Sequence, residues 1–203
     1  MTKSALKFTS DIAFSTSVKK IQQELNSRSS YARMEESGGW QKEISGPLED
    51  FIKASDSFYL STSNSLGQPY TQHRGGPKGF LKVRNPNTLA FADFSGNKQF
   101  ITLGNLNENN KAFIFMMDYE NQTRIKIWGT AKVDTDDQEL IKSLTDQTYK
   151  ARIERAIVFT VEAWDVNCRQ HIKKRYTKEY IQRMTQPLEN RIKELEARVK
   201  LLL

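Results

Sequence analysis

Apolar positions recur at helical spacing from about residue 16 to residue 40. Val18, Ile21 and Leu25 fall three and four apart with Gln22 beside them, and Tyr31, Ala32 and Met34 resume after the polar stretch 26–30. Gly38 and Gly39 then stop the second segment. Pro47 marks the first turn of another short helix, where its fixed φ fits and its missing N–H does no harm. Leu48, Phe51 and Ile52 lie on one side of that helix.

The period changes to two from Ser57. Residues 58–62 read as a strand, 63–68 as a turn carrying Asn64 and Gly67, and 70–74 as the returning arm of a hairpin. Further strands are expected at 79–83, 88–94, 111–119, 123–133 and 156–164, with a turn at 85–87 and a helix over 136–149. Many strands joined by tight turns argue for an antiparallel barrel and against a parallel sheet wrapped by crossover helices. The expected fold is mainly β (α+β): an antiparallel Greek-key split barrel with flanking N-terminal helices and a C-terminal amphipathic helix.

In that last helix Ile181, Met184, Leu188, Ile192, Leu195, Val199 and Leu202 alternate in steps of three and four, with Glu and Arg or Lys between them. Pro187 fits as the first residue of a fresh helix. The stripe is read in two ways, as a face packed on the barrel or as one half of a helix pair clasping a dimer. The chain thus divides into an N-terminal helical extension at 1–50, the barrel domain at 51–176 and a C-terminal helix, a possible short coiled coil, at 177–203.

Composition narrows this picture. Among 203 residues 37% are hydrophobic and 27% charged, and no apolar run approaches the ~18 residues of a membrane span. The opening MTKSALKFTSDIAF lacks the continuous apolar core of a secretory signal. One cysteine, Cys168, excludes an intrachain disulfide framework and reads as a buried, inert thiol in a reducing compartment, so a cytoplasmic location is expected. With two histidines and that cysteine no standard zinc set forms, and no metal is expected. The formal net charge of +7 is spread along the chain apart from Lys173, Lys174, Arg175 and Lys178. No zinc-finger spacing or helix-turn-helix punctuation accompanies it, which favours a solvated basic face or attraction of a small anion over nucleic acid.

The candidate chemistry lies between Gln72 and Gln99. Alternation puts Gln72 and Arg74 on one face of their strand and His73 on the other, and Lys82 on the face of Phe80. Gly75, Gly76 and Pro77 read as a bulge or wide turn and nothing more, or, beside Arg74 and Lys82, as glycines that allow close approach of a backbone to a ligand. Asp93, Phe94 and Ser95 lead into Gly96, Asn97, Lys98 and Gln99, read as a turn opening a short helix whose first amides favour an anion. Arg74, Lys82 and Lys98 are expected to converge on one phosphate, with the N–H groups of Gly96 and Asn97 completing the cradle. Farther on, Arg124, Lys126 and Trp128 share a face opposite Ile125 and Ile127, read either as the solvated outside of a barrel strand or as a cationic and aromatic surface suited to a flavin ring.

The segments HRGGPKGFLKV, ADFSGNKQ and RIKIWG resemble the FMN-binding split barrels related to pyridoxamine 5'-phosphate oxidase. That family carries an Arg, a Leu-Lys on the next strand, a strand leading to a basic turn, and a later strand ending in Gly. Here Arg74, Leu81-Lys82, Gly96-Asn97-Lys98 and the strand from Arg124 to Gly129 stand in those places, with Arg124 replacing a glutamine. The resemblance runs from about Phe51 to Tyr176. It implies FMN as cofactor, with Arg74, Lys82, Asn97 and Lys98 on the phosphate and ribityl chain and Asp93, Phe94 and Gln99 along the ring and its linker. Arg124 would approach the isoalloxazine, with Trp128, His73, Gly75 and Gly96 completing the pocket. A homodimer holding FMN at the subunit interface follows, acting on a small-molecule substrate or electron donor as an FMN-dependent oxidoreductase. The alternative is a non-catalytic FMN carrier or redox sensor.

Trp164, Arg169 and His171 match in type the segment that holds substrate in true pyridoxamine phosphate oxidases. The spacing is one residue short and Lys173 replaces the final Arg, which argues against vitamin B6 as substrate. His171 is still the candidate general acid or substrate anchor, with Arg169 beside it as a substrate contact. The competing reading is a surface histidine ahead of a basic tail.

Overall fold

Seven strands form in the computed structural model, which describes residues 6–166 and 169–202, and period-two alternation becomes alternate burial most clearly in those at 57–63, 111–118 and 123–134. The strands are β1 (Ser57–Ser63), β2 (Pro69–Gly75), β3 (Lys82–Asn85), β4 (Thr88–Phe94), β5 (Lys111–Asp118), β6 (Thr123–Asp134) and β7 (Ile153–Val166). They form one antiparallel sheet in the order β2-β1-β5-β6-β7-β4-β3, which curls without closing, as a split barrel does. Phe58 and Leu60, Ile114 and Met116, Ile125 and Ile127, and Ile157, Phe159 and Val161 point into one core. The helix α3 (Gly46–Ala54) lays Leu48 and Ile52 against the same core. Pro47 sits in its first turn, as expected.

The N-terminal region divides as its pattern predicts, into α1 (Thr16–Glu24) and α2 (Arg28–Glu36), with Asn26 at φ 57° between them. A 3-10 turn at Thr9–Ile12 precedes them, a feature with no apolar period to announce it. Ser10 donates to Glu35, which also pairs with Arg28, while Lys19 binds Asp11 at 2.5 Å. These contacts tie the N-terminal segment together, and its 3-10 turn lies against β7. Trp40 stacks on Trp128 with centroids 4.4 Å apart, and the Lys126 ammonium lies 5.1 Å from both rings.

Four expectations change. The third strand begins at Lys82 rather than Gly79, because Gly79 and Phe80 belong to a turn whose N–H groups donate to Ser55 and Pro77 carbonyls. The helix expected over 136–149 is only α5 (Gln138–Ser143). Asp146 accepts from the N–H and hydroxyl of Thr148, an Asx turn that competes with helix continuation. An additional helix, α4 (Ile101–Glu108), follows β4 and starts three residues later than the Lys98 expected. Finally, Pro187 lies inside the single helix α6 (Lys178–Leu202) and does not start a new one. Its ring removes one i→i−4 bond without ending the helix.

The described residues fall into two compact units. The first takes in those of 1–117 and 124–167, so the N-terminal helices belong with the barrel; the second takes in those of 118–123 and 168–203. Within the second, Gln122 donates to the Ile172 carbonyl at 2.6 Å and the Arg175 guanidinium covers Tyr119. No helix among the described residues is long and apolar enough to cross a membrane.

Candidate functional site

The sheet order leaves β2 and β3 as its two lateral strands, with β4 next to β3. Across the gap between β2 and β4, Arg74 Nη1 donates to Asp93 Oδ1 at 2.5 Å. Both side chains are largely buried, 13% and 10% exposed. A side-chain ion pair, rather than a backbone ladder, therefore bridges this seam.

A cleft of about 260 Å³ opens at the seam. Its floor is Tyr70, Gln72 and Arg74 of β2 and Asp93 and Phe94 of β4. One wall is residues 96–100 and the first turn of α4; the other is Glu154 and Arg155 of β7. Register explains the last pair, since Arg155 lies opposite Asp93 in the β4–β7 ladder. Arg155 reaches Asp93 Oδ2 at 3.5 Å and Glu154 at 2.5 Å. Asp93 is thus shared by two guanidinium groups. Nε of Arg74 is buried and has no hydrogen-bond partner among the described residues, an orphaned donor at the cleft floor.

The loop that forms the wall is conformationally costly. Lys98 and Phe100 both take left-handed backbone, at φ 61° and 57°, each costing about 1 kcal/mol or more for a residue with a side chain. Asn97 Oδ1 accepts from the Gln99 N–H at 3.2 Å and so fixes the turn. Phe100 is the N-cap of α4 and provides no side-chain acceptor. The first amides of the helix, at Ile101, Thr102 and Leu103 on the cleft wall, are left for an anion. Thr102 donates to Gln72 at 2.9 Å, tying the helix start to β2.

The structure therefore brings Arg74, Asp93, Phe94, Gly96, Asn97, Lys98 and Gln99 to one cleft. Lys82 opens instead into an adjoining hollow with Asp146, Ser143 and Thr145, which shares Phe94 with the cleft. His73 faces away, edge-on to Tyr59 at 5.6 Å. Gly75 lies beside the His73 ring, and a Cβ on Gly76 would sit 2.7 Å from the Phe80 ring. The smallness of Gly76 thus makes room for the Phe80 ring. Trp128 is covered by Trp40 and Phe113, and Lys126 pairs with Asp165 at 2.9 Å, so the cationic, aromatic face of β6 is roofed by the N-terminal segment. Arg124 lies outside the cleft lining, its Nε buried and without a partner among the described residues. Arg169 and His171 belong to the second unit, where both are exposed and His171 takes φ 63°. Trp164 is a core residue whose indole donates to the Glu43 carbonyl at 2.8 Å. Cys168 lies outside the described residues. Tyr70, Glu154 and Arg155 were not anticipated; only the register of β7 on β4 reveals the last two.

No curated protein matches the chain in sequence. Among solved structures, HupZ of Group A Streptococcus superposes with a TM-score of 0.52 at 18% identity, over 66% of this chain and 99% of that one. An FMN-binding protein of Syntrophomonas wolfei gives 0.47 at 18% identity, over 75% and 95%. At such identity the likeness to HupZ is one of fold. The family model described as pyridoxamine 5'-phosphate oxidase matches residues 44–168, a span that includes all seven strands and most of the cleft's surroundings. More than half of the chain is covered by that match, and the chain belongs to the pyridoxamine 5'-phosphate oxidase family.

Proposed function

We propose that the seam cleft binds the phosphate end of FMN and that the protein is an FMN-dependent oxidoreductase working as a homodimer. The observation behind this reading is the orphaned Nε of Arg74, buried in a cleft that also gathers Lys98, Arg155 and the amide end of α4. Such a donor set fits a phosphate dianion, since guanidinium groups and helix-start amides make charge-assisted bonds to its oxygens. Asp93 keeps the two guanidinium groups from repelling one another before the ligand arrives. Asn97 and Gln99 offer amides to a polyol chain, and Phe94 a flat apolar wall. When bound, FMN supplies a ring that accepts a hydride and passes its electrons on.

The cleft volume of about 260 Å³ falls short of the roughly 300–1,000 Å³ of pockets that enclose a whole ligand. The ring end therefore needs a second surface, which a partner subunit would supply, with Arg124 as the cation offered to it. Lys82, in the adjoining hollow, is the nearest further cation for the phosphate side. Arg169 and His171 are the candidates for holding substrate.

Titration of the purified protein with FMN, followed by absorption and by flavin fluorescence, tests the proposal. Saturable binding is expected, and the absorption spectrum of the protein as purified, before any FMN is added, separates FMN from a deazaflavin. Arg74→Ala combined with Lys98→Ala should weaken binding by about a hundredfold, from the loss of two charged hydrogen-bonding partners. Undiminished affinity in that variant would remove the phosphate assignment. His171→Ala should lower turnover with a nicotinamide electron donor while leaving FMN bound; an absence of turnover in the wild type would favour a carrier.

A further inference from the structure

We infer that residues 188–202 of α6 pair in parallel with the same residues of a second copy of this chain. The helix buries none of its residues. Leu188, Ile192, Leu195, Val199 and Leu202 are 44–86% exposed and follow one another at intervals of four, three, four and three. Written as a heptad, this places Leu188, Leu195 and Leu202 at d and the β-branched Ile192 and Val199 at a. Leucine at d with β-branched residues at a is the core composition that favours two parallel strands. The frame begins directly after Pro187; upstream of it the stripe breaks, since Met184 falls at g and Thr185 at a.

Charge selects the orientation. The same frame puts Arg191 and Arg198 at g and Glu189 and Glu196 at e. In a parallel, in-register pair each g residue meets the e residue five positions on in the partner helix, so Arg191 meets Glu196 twice by symmetry. An antiparallel pair sets g against g and e against e, arginine against arginine and glutamate against glutamate. Within its own helix Arg191 reaches Glu194 at 2.6 Å, both more than half exposed, a contact of the kind that exchanges for another at small cost.

Fifteen residues are too few to associate alone at ordinary protein concentrations. The pairing therefore rests on the homodimer proposed above, whose tether raises the local concentration of the second helix. It makes α6 a clasp between copies.

Disulfide trapping in the full-length protein provides the test. Cys168→Ser removes the native thiol, and Leu188→Cys, Leu202→Cys and Ala197→Cys are each added to it. Under mild oxidation Leu188→Cys and Leu202→Cys should both form cross-linked dimers, because equal d positions face each other in a parallel pair. Ala197→Cys, on the outward f position, should not. Bonding at only one of the two d positions would contradict the parallel register, since an antiparallel pair brings at most one of them to itself. Light scattering on the same samples separates the failures: a dimer that forms no bond at 188 or 202 overturns the pairing and leaves the dimer standing, whereas a monomer overturns both. Arg191→Glu should slow bond formation at 202 about fivefold, through two symmetric repulsive pairs, and adding Glu196→Arg should restore it; a rate that is not restored would refute the charge pairing.

Discussion

Gly129 shows how much one position can decide. Opposite the Trp128–Gly129 step β7 gains an extra residue, Glu162, and the ladder shifts register there. A Cβ on Gly129 would lie 1.9 Å from the Thr160 carbonyl oxygen and 2.8 Å from the Phe159 ring, and neither backbone nor packed ring can withdraw. Gly129→Ala should therefore cost roughly 3–5 kcal/mol, as clashes in a filled core do, seen as an early urea midpoint. A midpoint near that of the wild type would mean that β6 and β7 slide apart freely. The sequence marks this glycine as the end of RIKIWG but says nothing of its contact, because a close approach between strands depends on register. Gly76 teaches the same lesson from the other side: its neighbour is the Phe80 ring, and no sequence pattern distinguishes that from a ligand.

At the scale of elements, the N-terminal helices owe their seating to charge as much as to apolar contact. Partial burial of Asp11 works against its ionisation, but hydrogen bonds from Lys19 and from the Phe8 N–H outweigh it and hold the carboxyl below its ordinary 3.8. Because the folded value is the lower one, the stability from Asp11 is fully present above the ordinary value and is lost as pH falls through the lowered value. Asp11→Asn should accordingly destabilise the protein at about pH 6, with the difference from wild type shrinking below the ordinary carboxylate range. Urea unfolding across that range checks the sign; a gap that widens in acid would be inconsistent with it. Strands are the elements most legible in the sequence. β4 coincides with its expected bounds, and β1, β2, β5 and β6 differ by a residue or two, since alternation is written in the residues that fill the core. Helix ends are the least legible. α5 is cut short by Asp146 and α4 is delayed by the left-handed Lys98 and Phe100, local side-chain and backbone choices that leave no periodic trace.

For the whole molecule the deciding relation is between the two ends of the sheet. Arg74 and Asp93 were both visible as site residues, each beside a turn motif. Their mutual ion pair was not, because it joins strands that are neighbours only after the sheet curls. A double-mutant cycle of Arg74→Ala and Asp93→Ala should give a coupling of about 2 kcal/mol, as expected for a buried, hydrogen-bonded pair with shared neighbours. Unfolding of the four proteins measures it, and simple additivity would deny the pair its role in the seam. No ladder joins β2 to β4. Widening of the entrance therefore requires side-chain contacts to part, Arg74 from Asp93 and Thr102 from Gln72, and leaves every inter-strand amide protected. Such breathing would pass unnoticed in deuterium uptake by the strands, yet it would answer to added electrolyte, so the rate at which a ligand enters should depend on salt even where its final affinity does not.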